Sequence, residues 1–151
     1  MAEIRFYHAQ HKTAQDVLPD LLLKALQRKM RIACKLSNTD TCQDYDDYLW
    51  QWSKTHFLPH GIDHQEFAAD QPVLLTTENH AANGARTLMV LDDAELPPTP
   101  SDFDLICFIF DGRNPYIVKR AREEWTRLKT EATATLTYWQ QQETGQWLNK
   151  A

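Results

Sequence analysis

Four glycines, Gly61, Gly84, Gly112 and Gly145, are all that the 151 residues contain, and they stand too far apart to build the G-x-x-x-x-G-K-[ST] cradle of nucleotide hydrolases. Leu88 to Asp93, LMVLDD, ends an apolar run in acids as a magnesium-holding strand does, but without the cradle Asp92 and Asp93 read as strand-end acids in a turn. Cysteine is scarce too. Cys34, Cys42 and Cys107 are an odd count with no CxxC spacing, and are expected to be reduced and mostly structural. No stretch approaches the roughly 18 consecutive apolar residues of a membrane span, and the opening MAEIRFYH carries charge where a signal peptide needs an apolar core. A cytoplasmic protein without membrane contact is the expectation. Positive charge is also limited: 16 Lys and Arg against 21 Asp and Glu leave a net −5, too little basic surface to coat nucleic acid. DNA contact is therefore expected to be mainly indirect.

What is present fits a globular chain, with 42% hydrophobic and 25% charged residues. At this length one domain, residues 1–151, can bury about 70% of its unfolded surface without disulfides or a structural metal. Ile4 to His8 reads as an opening strand, and Val17, Leu18, Leu21, Leu22, Ala25 and Leu26 as the stripe of a helix that Pro19 must begin or bend. Ile32 to Leu36 is a second strand. Asn38, Thr39 or Asp40 can cap a second helix carrying Tyr45, Tyr48, Leu49 and Trp52, which Pro59 and Gly61 close off before a polar loop. Val73 to Leu75 and Leu88 to Leu91 are strands, with a turn at Asn83-Gly84 between them, and the prolines of 95–102 make an extended connection. Thr135 to Trp139 is a late, edge-like strand or ordered tail. This alternation predicts an α/β fold with a mostly parallel sheet between two helical layers.

The most informative stretch is Phe108 to Lys129, FIFDGRNPYIVKRAREEWTRLK. A buried strand ends at Phe110, Asp111-Gly112 turns the chain, and Asn114 caps a helix whose first residue, Pro115, has no amide to lose. Val118, Arg122, Trp125 and Lys129 recur at four, three and four residues and share one stripe. Residues 115–130 carry five cations against two glutamates, or +3, so the rest of the chain sums to −8. A basic helix on an acidic body suits an anionic partner; an inward-packed tryptophan on a solvated helix accounts for the same pattern.

Catalytic arrangements find little support. His56, His60 and His64 are spaced by four beside Asp63, yet Pro59 and Gly61 interrupt any helix that would converge them on zinc. Ser37, Ser53 and Ser101 lack a nucleophile elbow, and Asp46-Asp47 or Asp102 with Asp104 read as solvated acids or caps. Neither a cofactor nor a catalytic role is expected. Two other classes compete with a partner-binding module: a nucleotide-dependent α/β enzyme, which would need glycine between His8 and Thr13, and a single-strand-binding module using the tryptophan and cations of the basic helix.

Several segments, in order and at matching spacing, resemble the chi subunit family of bacterial DNA polymerase III. They are Phe6-Tyr7-His8, Leu18-Pro19 to Arg28, Asp47-Tyr48-Leu49-Trp50, Phe57-Leu58-Pro59-His60-Gly61, Gln71 to Thr77, Asn83-Gly84-Ala85, Phe108 to Gly112, Ala121-Arg122 with Trp125, and Leu136 to Gln141. The resemblance implies a non-enzymatic accessory subunit of the replicase, folded like a nucleotide-binding domain without its phosphate loop. Its partners would be the acidic C-terminal tail of single-stranded DNA-binding protein, ending in an aromatic residue with a free carboxylate, and the psi subunit of the clamp loader. It further implies that Arg122, Trp125 and Lys129 contact the tail and that Trp50 and Phe57 line the same region; no psi-binding residues are assigned. Thr126 stands where a relative has lysine, and Glu131-Ala132-Thr133 where many have glycine after the helix.

Overall fold

The computed structural model describes residues 2–52, 57–132 and 134–151. Along the chain lie β1 (Ala2–Ala9), α1 (Ala14–Gln27), β2 (Ile32–Lys35), α2 (Thr39–Gln51), β3 (His60–Ile62), β4 (Val73–Thr76), β5 (Thr87–Leu91), β6 (Leu105–Asp111), α3 (Pro115–Glu131), β7 (Ala134–Gln141) and β8 (Trp147–Asn149). They form one eight-stranded sheet in the order β3-β4-β2-β5-β6-β1-β7-β8, parallel throughout except for the antiparallel β7–β8 pair. The expected α/β architecture is present as three layers.

Strand alternation divides the core between the two faces. Tyr7, Cys34, Leu75, Met89, Cys107 and Ile109 point to one side, where α1 and α2 pack with Leu18, Leu22, Tyr45 and Leu49. Ile4, Phe6, Leu88, Val90, Phe108 and Phe110 point to the other, under α3 with Ala121 and Leu128, and under the extended connection with Ala94 and Phe103. All three cysteines are buried and free. Burial raises the thiol pKa of Cys42 to about 11 and of Cys107 to about 12 and pushes that of Cys34 up as well, so each stays protonated and inert at neutral pH.

Local chemistry explains the element ends. Asn38 and Asn114 are the caps of α2 and α3: Asn38 accepts from Thr41 N, and Asn114 from Tyr116 N and Ile117 N. Helix α1 begins before Pro19, because Thr13 accepts from Asp16 N and nucleates a turn upstream; Pro19 is buried inside the helix. Gly84 has φ +75 and lets the chain reverse beside Asn83, whose buried amide donates to the carbonyls of Ile32 and Gln71. That turn does not join two paired strands, since β2 lies between β4 and β5. Three further differences separate structure from expectation. His60–Ile62 adds an edge strand within the predicted loop, β6 runs one residue past Phe110, and β7 lies inside the sheet because β8 covers its free side.

Candidate partner-binding surfaces

Helix α3 crosses the face of β6, β1 and β7, and its geometry follows from the turn before it. Gly112 N–H donates to the Ala9 carbonyl at 2.6 Å, tying the end of β6 to the end of β1. A Cβ at Gly112 would lie 2.0 Å from His8 Nε2 and 2.7 Å from the Ala9 oxygen, so only glycine fits there. The His8 ring therefore lies against the turn that launches α3.

Five cations on α3 are not equivalent. Arg120 donates to the carbonyls of Asp93 at 2.5 Å and Ala94 at 2.9 Å, pinning the helix to the connection after β5. Arg127 is bracketed by Glu124 at 2.6 Å and Glu131 at 3.0 Å. Among the described residues Lys119, Arg122 and Lys129 have no carboxylate within ion-pair range. The available positive charge thus runs along the exposed helix face from the turn to the last helical turn. Arg122, Lys119 and Val118 line a shallow groove of about 740 Å³ that reaches back to Gly112 and Arg113.

Trp125 is half-buried and packs against the core from α3. Its ring meets Phe6 edge-on with centroids 5.3 Å apart and Tyr138 at 5.7 Å, and Lys129 Nζ stands 5.9 Å from its centroid. The inward-packing account of this residue matches its contacts, and the ring stays only half-buried. Beneath it, the Tyr138 hydroxyl lies 2.6 Å from His8 Nδ1. Burial lowers the His8 pKa and the positive charge of Arg122 lowers it further, with Asp111 opposing; burial raises that of Tyr138 while Arg122 draws it down. Arg122 is therefore close enough to be felt by both rings.

Trp50 and Phe57 are elsewhere. Trp50 lies in the last turn of α2, a helix of the opposite layer, and its ring meets those of Phe57 at 5.9 Å and His60 at 4.2 Å, each tilted by 39°. Both aromatics are exposed, Trp50 at 51% and Phe57 at 71%. The five residues inferred from sequence form two separate surfaces, Arg122, Trp125 and Lys129 on α3 and Trp50 with Phe57 beside the β3 edge.

The histidine loop has a structural use. His60 is buried, with Nδ1 2.6 Å from the Leu58 carbonyl and Nε2 3.2 Å from an Asp46 carboxylate oxygen, so it joins β3 to α2. His64 is exposed beside Asp63 and Glu78, and His56 lies outside the described residues. Among the described residues no three His, Cys, Asp or Glu side chains are grouped to hold a metal ion, and no helix is long and apolar enough to cross a membrane.

A protein-family model of the DNA polymerase III chi subunit, HolC, matches residues 1–135. The chain belongs to that family. Membership makes it a subunit type of DNA polymerase III, with an accessory role in replication. The match covers β1 through α3 and reaches the start of β7; most of β7 and all of β8 lie beyond it. A comparison with curated proteins gave no match.

Proposed function

We propose that this chi-family chain is a non-catalytic tether, binding the acidic C-terminal tail of single-stranded DNA-binding protein on α3 and a clamp-loader psi subunit through a second surface. The observation that carries the first half is the set of cations on α3. Structure-stabilising contacts occupy Arg120 and Arg127 and leave Lys119, Arg122 and Lys129 facing solvent, with Lys129 over the half-buried Trp125 indole. A tail that is acidic along its length and ends in an aromatic carboxylate complements this set: the guanidinium of Arg122 can fork onto the carboxylate while the terminal ring packs beside Trp125.

The second half rests on separation. A tether must hold two partners at once, and the exposed Trp50–Phe57 pair lies with the layer opposite α3. Exposed neighbouring aromatics favour a partner that buries apolar area. We assign this pair to the second partner and the α3 stripe to the tail.

A two-by-two calorimetric cycle tests the reading. Arg122→Ala and amidation of the tail peptide's C-terminus should each weaken binding by about 2 to 5 kcal/mol if the pair is desolvated, and the double change should add little to either alone. Fully additive losses would show that Arg122 and the carboxylate do not meet.

A further inference from the structure

On the face away from α3, a cleft of about 270 Å³ opens between α1, the sheet and the β7–β8 hairpin. Its aromatic wall is Tyr7, Trp139 and Trp147: Trp147 meets Tyr7 edge-on at 5.0 Å, and Trp139 lies nearly parallel to Tyr7 at 6.4 Å. Its cations are Arg5, Lys24 and Arg28, and no acidic side chain lines it. Glu3 already holds Arg5 at 2.8 Å. Lys24, in the last turn of α1, and Arg28, its C-cap residue, are exposed, and neither has an acidic partner within ion-pair range among the described residues. The sequence KALQRKMR, residues 24–31, holds four cations and no acid, a local reversal of the chain's net −5.

We propose that this cleft takes one base of single-stranded DNA against Trp147 and Trp139, with Lys24 and Arg28 on the flanking phosphates. The cleft lies at the small end of ligand-site volumes, which suits a single planar ring system better than a folded peptide segment. Aromatic walls with cations at the rim are the usual means of holding single strands without sequence preference, because every base has a π-face and every link a phosphate. The net negative charge does not oppose this, since attraction acts within about a Debye length and the nearby charge is positive. Trp139 and Trp147 come from the two strands of the C-terminal hairpin, β7 and β8. The contact need not be strong. Where α3 holds a tail whose owner coats DNA, the strand is present at high effective concentration. That benefit rests on the proposed tether, whereas the cleft itself does not.

Fluorescence anisotropy of a labelled oligodeoxythymidylate with the full chain tests it. Binding should appear at low salt and fall with a log–log slope of about −1.4, the value for two phosphate contacts on a single strand. Trp147→Ala should weaken it about tenfold or more, and the exposed pair Lys24→Glu with Arg28→Glu should abolish it while far-UV circular dichroism is unchanged. Arg122→Ala should leave oligonucleotide binding intact, which separates this site from the tail site. Absence of binding at low salt would overturn the proposal. So would wild-type binding by the double charge reversal, or a loss confined to Arg122→Ala, which would place the strand on α3.

Discussion

The Tyr138 hydroxyl lies 2.6 Å from His8 Nδ1, directly under the helix that carries Arg122. Burial, and after it the Arg122 charge, lower the His8 pKa and so favour the neutral imidazole. Because the folded pKa lies below the unfolded one, the unfolded chain binds the proton more tightly. The stability contributed by neutral His8 is complete above the ordinary value of 6.5 and is lost as pH falls below it. A tail carboxylate seated on Arg122 would offset the charge that helps lower this pKa. Adding peptide should therefore raise the His8 pKa in an NMR titration of its ring protons, and an amidated peptide should raise it less. An unmoved His8 would place the carboxylate away from Arg122.

Gly112 should not tolerate even alanine. The added methyl would lie 2.0 Å from His8 Nε2 and 2.7 Å from a backbone oxygen, and the second of these cannot swing aside. Gly112→Ala is expected to cost about 1 to 3 kcal/mol or more, read by denaturant unfolding, and to weaken tail binding by shifting the start of α3. Unchanged stability would mean that the turn is looser than its 2.6 Å hydrogen bond implies.

Helix α3 ends without glycine. Ala132 occupies the left-handed region at φ 53 and donates its N–H to the Leu128 carbonyl, a position that glycine would fill without strain. A Cβ there costs on the order of 1 kcal/mol. Ala132→Gly should raise the melting temperature by about 2 to 4 °C, since in a chain of this size 1 kcal/mol corresponds to that shift. A lower melting temperature would show that the loss of unfolded-state restraint outweighs the relief of strain.

Asp92 is a second strained position, with φ 51 and its carboxylate accepting from Asp111 N at 3.0 Å. Burial raises its pKa to about 6, the amide opposes, and the charges of Asp111 and Asp93 add to the rise. A carboxylate whose folded pKa exceeds its unfolded value stabilises most when protonated, so its contribution is lost as pH rises through about 6. Asp92→Asn keeps the acceptor, suits a positive φ, and removes the buried charge. The variant should melt higher than wild type at pH 7.5, by roughly 1 kcal/mol or more of stability, and the gap should close by pH 4. A gap that widens toward acid would contradict this account.

These residues show how far sequence reading reaches. Apolar runs located β2, β4, β5 and β6, and the Asn114-Pro115 pair located the start of α3, because burial and capping act through neighbours in the chain. The three-residue β3 and β8 are too short to carry a pattern, and Thr13 signals a cap only once Pro19 is known to be tolerated inside the helix. The grouping of candidate residues was legible along α3 and not across the sheet. Spacing aligns Arg122, Trp125 and Lys129 because they share one helix. Whether Trp50 joins them depends on which face each crossover covers, and that is set by long-range strand order.

That separation yields the last prediction. Trp125 contacts Phe6 and Tyr138 as well as solvent, so Trp125→Ala should cost about 2 kcal/mol of stability in addition to tail affinity. Phe57, at 71% exposure, has little folding energy to lose. Phe57→Ala should leave the melting temperature within a degree or so, leave tail-peptide affinity unchanged, and weaken only the complex with a psi partner. Paired measurements of melting, tail binding by calorimetry and co-purification with psi decide among the arrangements. If Phe57→Ala and Trp125→Ala both weaken the tail and neither affects psi, the two surfaces serve one ligand, and the division of labour between the faces of the sheet is wrong.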